Sequence, residues 1–165
     1  PHVSNVSQAE KIASITKNSP QGLRGLSPYT RCHNYDHLDL KDSLINSNKN
    51  TFVGILVEGK KGLDNLSSIS KVDGIDMIYL GIYDIAQSLN LSGDINHKKC
   101  IKALEKAINT IHQSGKLAGT FTRTIKDAKN LKKLGIEFIA YLADSNALYT
   151  FYKESVKKFL EDENI

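Results

Sequence analysis

Glu58 and Asp84 are the residues best placed to do chemistry, because each follows a short, almost wholly apolar run, at residues 52–57 and 76–80. Two carboxylates delivered by neighbouring strands, which lie about 4.8 Å apart, repel and raise each other's pKa unless a cation lies between them. Hard oxygen ligands with room left for water suit Mg²⁺ or Mn²⁺. An aspartate at the end of a strand also serves as a helix N-cap, and residues 85–89, IAQSL, read as a helical turn. Both roles for Asp84 are open at the level of spacing.

The elements that must position this pair follow from periodicity. Neither apolar run alternates with polar residues, as expected of strands buried on both faces of a parallel sheet. Between them Leu63, Leu66, Ile69 and Val72 recur every third residue, while Lys60, Lys61, Asp64 and Lys71 fall elsewhere, so the crossover is expected to be one amphipathic helix. Residues 51–84 thus form a βαβ unit whose carboxyl edge, where α/β folds place their ligands, carries Glu58 and Asp84.

The rest of the chain repeats the pattern. Ser7-Gln8-Ala9-Glu10 reads as a capping box for a helix reaching about Lys17. The irregular residues 18–37 follow, in which Arg24, Arg31, His33 and His37 either contact an anionic ligand or are ordinary residues of a solvated loop. Residues 38–46 form a weak helix closed by the polar stretch 47–50. After Ser92-Gly93-Asp94 a long helix begins at Asn96-His97, with Ile101, Leu104, Ile108 and Ile111 on its apolar face and His97 in a structural role. Gly115 ends it, residues 117–121 form a third strand, Thr124-x-x-Asp127 opens the next helix, and Gly135 closes that one. Residues 138–141 form a fourth strand. Asp144 then caps a final helix carrying Leu148, Phe151, Tyr152, Val156 and Phe159. This order implies parallel βα repeats in one α/β domain over residues 1–165, barrel-like or flavodoxin-like, since no G-x-G-x-x-G or P-loop follows a strand.

Composition narrows the function. With 40% apolar and 24% charged residues the chain is an ordinary globular one. Its net charge of +4 comes from lysines scattered over helices, as in IKDAKNLKK, so no nucleic-acid partner is expected. Cys32 and Cys100 stand far apart without metal-ligand spacing and are expected to be free thiols in a reducing cytosol. No apolar run approaches the ~20 residues of a membrane span, so a cytoplasmic location and no membrane partner are expected. The chain opens on Pro1 rather than Met, so its natural start is expected elsewhere.

The segment VEGKKGLDNLSSISKVDGIDMIYLGIYDIAQSLNLSGDINH, then GKLAGTF and GIEFIAYLADSNAL, together with the upstream SPQGLRGLSPYTRCHNY, resembles the HpcH/HpaI aldolase family. These are metal-dependent pyruvate aldolases related to the citrate lyase β chain. The resemblance implies a (β/α)₈ barrel, which needs about 250 residues. The present chain therefore supplies a partial barrel, the fifth to eighth strands with their helices, and Pro1-His2-Val3 ends the fourth.

The same resemblance implies that Glu58 and Asp84 hold Mg²⁺ or Mn²⁺, and that backbone N–H groups of Gly81, Ile82, Tyr83 and Asp84 hold the carboxylate of pyruvate. The reaction implied is cleavage or formation of a 4-hydroxy-2-oxo acid from pyruvate, or another 2-oxo acid, and an aldehyde. It further implies that the final helix packs on a neighbouring subunit of a homo-oligomer. Departures from the family pattern are Leu56 in place of Gln, Gly59 in place of Thr, and Gly81-Ile82-Tyr83-Asp84 in place of Gly-Pro-x-Asp. The family's proton-transferring His and substrate-binding Arg belong to its first half, upstream of this chain. Two alternatives accompany the aldolase reading: an inert relative acting as a binding or assembly module, and a citryl-CoA or malyl-CoA type lyase.

Overall fold

In the computed structural model, which describes residues 1–33, 35 and 39–162, four parallel strands lie in sequence order. They are β1 (Gly54–Val57), β2 (Met77–Leu80), β3 (Leu117–Thr122) and β4 (Phe138–Tyr141). The register pairs Val57 with Leu80 and Leu80 with Thr120, so the carboxyl ends of β1, β2 and β3 emerge side by side. Strands joined in order with parallel pairing are the repeat of a βα barrel rather than the reordered strands of a flavodoxin-like sheet.

Side chains on the two faces of the sheet meet different environments. Ile55, Val57, Ile78, Leu80 and Ala118 are buried in one cluster with Ile69, Ile85, Leu104, Ile108 and Ile111 from the helices. Full burial of each such aliphatic side chain stabilises the fold by about 1.5–3 kcal/mol relative to exposure. On the other face Leu56, Tyr79 and Phe121 are half-buried, and Leu117 and Phe138 are exposed. There Met77 and Tyr79 lean over the glycines of the flanking strands: a side chain at Gly54 would meet the Met77 Cε at 2.8 Å, and one at Gly119 the Tyr79 ring at 3.1 Å. Burial pushes the Tyr79 hydroxyl above its usual pKa.

The helices are α1 (Val6–Thr16), α2 (Leu40–Asn50), α3 (Lys60–Asp64), α4 (Leu66–Ile69), α5 (Ile82–Ser88), α6 (Lys98–Gln113), α7 (Ile125–Lys133) and α8 (Asp144–Asp162). Several expectations need correction. The helix-opening cap of α1 is Asn5, whose side chain accepts from the Gln8 N–H, and Ser7 already lies inside the helix. α2 runs on through residues 47–50, because Thr51 closes it with bonds to the Ser47 carbonyl; Leu38 lies outside the described residues. The β1–β2 crossover is two short helices, broken at Asn65, whose amide donates to the Ser4 carbonyl at 2.8 Å. Its stripe still packs inward: Leu66, Ile69 and Val72 are buried.

Other local signals act as read. His97 caps α6 by accepting from the Lys99 N–H, and Thr124 caps α7 by accepting from the Asp127 N–H. Gly115 and Gly135 take positive φ where those helices end. Asp144, by contrast, was expected as the cap of α8 but is its first residue, and its carboxylate accepts only from the adjacent Ser145 N–H. Along α8, Leu148, Phe151, Tyr152, Val156 and Phe159 are each 57–65% exposed. Among the described residues no helix is long and apolar enough to cross a membrane.

Candidate active site

The two edges of the sheet treat their acids differently. At the amino edge, Asp76 accepts from the Val53 N–H at 2.6 Å and Glu137 from the Ala118 N–H at 2.8 Å, so these carboxylates knit the starts of neighbouring strands. Lys17 and Lys116 serve the same edge by donating to pairs of backbone carbonyls. At the carboxyl edge Glu58 and Asp84 accept no backbone bond of that kind among the described contacts and are available to a ligand.

Glu58 follows β1 directly and is half-buried. Its Oε1 lies 3.3 Å from the Nδ1 of His2, which stands at φ +59° on the segment that pairs with β1 through the Val3 N–H and Leu56 carbonyl. The other side of Glu58 rests against Gly81: a Cβ at that glycine would fall 2.5 Å from the Glu58 Cβ and 3.0 Å from its Oε2. The missing side chain of Gly81 is therefore the space that the Glu58 side chain uses.

Gly81 is held in place from both neighbours. Its N–H donates to the Val57 carbonyl at 3.0 Å, and the buried Thr120 hydroxyl donates to the Leu80 carbonyl at 2.7 Å. The chain then turns straight into α5, with Gly81 as N-cap and no side-chain cap bond. Asp84 is thus not the cap; it lies in the first turn of the helix, exposed. The first N–H groups of a helix have no partner within it, so the backbone at residues 82–84 faces the carboxyl edge with donors to spare. Beside it Tyr83 packs against Phe121, ring centroids 6.5 Å apart, and under the Arg123 guanidinium at 5.5 Å.

The structure thus gathers Glu58, Gly81, Ile82, Tyr83 and Asp84 at one edge. It adds His2 and Arg123, which sequence reasoning missed. Among the described residues no three His, Cys, Asp or Glu side chains converge as a ready-made metal cage. A donor set of two carboxylates nevertheless fits a hard cation that keeps several water ligands. Arg24 and His33 are not part of this edge. They line a depression beside Thr51, at the start of β1, where Arg24 donates to the Cys32 sulfur at 3.0 Å and the buried His33 Nδ1 sits 2.8 Å from the Ser43 hydroxyl. Arg31 is exposed, and His37 lies outside the described residues.

A parallel βα sheet with its strands in sequence order has the architecture of part of a βα barrel, and Glu58 and Asp84 lie at the edge where such barrels bind ligands. The pattern of the HpcH/HpaI aldolase/citrate lyase family matches residues 1–149, and the chain belongs to that family. The 5-keto-4-deoxy-D-glucarate aldolase of Shigella boydii serotype 18 is 29% identical over 144 residues, which are 87% of this chain and 55% of that protein. The protein of the same name from an Enterobacter species is also 29% identical, with 56% of its length covered. The chain therefore spans about half the length of the curated relatives it matches.

Solved structures agree on the fold. The HpcH/HpaI aldolase of Desulfitobacterium hafniense superposes with a TM-score of 0.90 at 22% identity, covering 96% of this chain and 61% of that one. A family protein of Burkholderia cenocepacia gives 0.87 at 25% identity, covering 96% and 63%. The four strands are thus part of a TIM-barrel-like fold, and the family and these relatives are aldolase and lyase enzymes.

Proposed function

We propose that this chain carries the metal-binding half of an aldolase that cleaves a 4-hydroxy-2-oxo acid into pyruvate and an aldehyde, or joins the two. The observation that supports this most is the placement of Glu58 and Asp84 past adjacent parallel strands, with Gly81 leaving room for Glu58. These two carboxylates would hold Mg²⁺ or Mn²⁺. A divalent ion bound there supplies Lewis-acid stabilisation of the negative charge that develops on the keto oxygen.

The chain's own residues account for binding and orientation. The uncapped backbone of residues 82–84 presents N–H donors for the carboxylate of the 2-oxo acid. His2 and Gly81 fix the Glu58 side chain from opposite sides, and such supporting contacts typically govern metal affinity by 10- to 100-fold. Tyr83 and Phe121 wall the edge on the β3 side. In this reading the exposed apolar residues of α8 are covered by a second copy of the protein.

The experiment is release of pyruvate from a 4-hydroxy-2-oxo acid by the natural protein at its full length, with Mg²⁺ or Mn²⁺ and with EDTA. The reading expects cleavage that EDTA abolishes and that E58Q and D84N each lower by at least about 100-fold, the scale of one missing electrostatic contact in a site. Cleavage that persists in EDTA would contradict it.

A further inference from the structure

Thr120 stands on β3 with its side chain on the helix side of the sheet, in line with the buried Ala118 and Thr122, and is itself completely buried. Its hydroxyl donates at 2.7 Å to the carbonyl of Leu80, the last residue of β2 and the strand partner of Thr120 in the register. A valine has nearly the same shape and would fill this place without the cost of burying a hydroxyl. What the hydroxyl adds is a grip on one particular carbonyl.

That carbonyl belongs to the peptide group joining Leu80 to Gly81. The N–H of the same peptide donates to the Val57 carbonyl at 3.0 Å, so β3 holds one side of the group and β1 the other. Gly81 in turn abuts Glu58, whose Cβ and Oε2 lie 2.5 and 3.0 Å from where a Cβ on that glycine would stand. A shift of this one peptide therefore changes the space in which the Glu58 carboxylate sits. Removing the hydroxyl takes a donor from a buried carbonyl and releases one side of the group.

We propose that Thr120 is a positioning residue for the ion site: by holding the Leu80–Gly81 peptide from the helix side of the sheet, it fixes the seat of Glu58 and sets divalent-ion affinity without touching ion or substrate. This inference rests on the reading of Glu58 and Asp84 as the ion's ligands.

The test uses the natural full-length protein. T120V and T120A both remove the hydroxyl but differ in volume, and T120S keeps it. T122V removes the other buried hydroxyl of β3, which reaches only the nearby Thr124 carbonyl at 3.4 Å. Mn²⁺ affinity is read by electron paramagnetic resonance. T120V and T120A are each expected to weaken it at least about 10-fold, the lower end for contacts that support a ligand, while T120S and T122V stay within about threefold of wild type. Hydrogen exchange gives a second readout that needs no metal. In T120V the Gly81 N–H should exchange about fivefold faster or more, the scale of one hydrogen bond, while the Asp76 N–H, bonded to the Val53 carbonyl at the amino edge of the same strand pair, keeps its wild-type rate.

Wild-type Mn²⁺ affinity in T120V and T120A, an equal loss in T122V, or no recovery in T120S overturns the proposal. So does a parallel rise in exchange at Gly81 and Asp76, which marks a general loss of stability. Each of these leaves Mn²⁺ binding by the wild type intact, whereas a wild-type protein that binds no Mn²⁺ overturns the ligand reading and this proposal together.

Discussion

Replacing Gly81 by alanine should uncouple the metal site from the fold. The backbone there, at φ −76° and ψ 82°, tolerates an L side chain, so any effect arises from space rather than strain. The new methyl would meet the Glu58 Cβ at 2.5 Å, its Oε2 at 3.0 Å and the Leu56 Cδ1 at 3.4 Å. Ordinary carbon contacts lie near 3.5–4.0 Å, so the Glu58 Cβ must retreat by about 1 Å, and its carboxylate moves with it. Overpacking of this size costs about 1–3 kcal/mol, and displacement of a ligand's support weakens metal binding about 10- to 100-fold. The matching control is G59A, where a methyl would meet nothing nearer than the His2 Cε1 at 3.7 Å and should be close to neutral. Mn²⁺ affinity by electron paramagnetic resonance and stability by urea denaturation measure both effects. Wild-type affinity in G81A, or equal losses in G81A and G59A, would refute the reasoning.

Four further outcomes are expected. Cys32 is exposed and Cys100 buried, so a thiol reagent should label one cysteine per native chain and two in denaturant. Burial, and then the charge of Asp94, push the Cys100 thiol up; its stabilising effect is complete below the usual thiol pKa of about 8.5 and fades as pH rises through the raised native value. C100A should accordingly flatten the decline in stability on the alkaline side, measured by denaturation from pH 8 upward. Lys17 donates to the Asn48 and Thr51 carbonyls at 2.7 and 2.6 Å, so K17M should cost about 1–3 kcal/mol, read in the same denaturation assay. Finally, the 165-residue chain should associate through α8: sedimentation should show dimers or larger species, and F151D with F159D should shift it toward monomer.

The strands were legible because one face is buried against the helices and the other, though partly exposed, also carries apolar side chains, leaving uninterrupted apolar runs. Their first residues were not: Phe52 is 55% exposed, and the Val53 N–H is taken by the Asp76 carboxylate, so the ladder begins at Gly54. The crossover was legible as a stripe but not as two helices, since the break at Asn65 depends on a carbonyl 61 residues away, at Ser4. The position of Glu58 and Asp84 at the carboxyl edge could be read from the strands before them. The contact of His2 with Glu58 spans 56 residues and no local pattern encodes it. Arg123 lacked any signal, because its contact is with the ring of Tyr83, in the first turn of the helix after the neighbouring strand. Asp84 was ambiguous between cap and ligand until Gly81 proved to be the cap.

In the proposed function Glu58 and Asp84 support a metal-dependent reaction at the carbon next to a keto group. The most direct measurement is exchange of the pyruvate methyl protons with deuterium, followed by NMR in the natural full-length protein without any aldehyde. Exchange is expected to require Mg²⁺ or Mn²⁺, to stop with EDTA, and to fall at least about 100-fold in both E58Q and D84N. Exchange that survives either substitution, or that needs no metal, would contradict it.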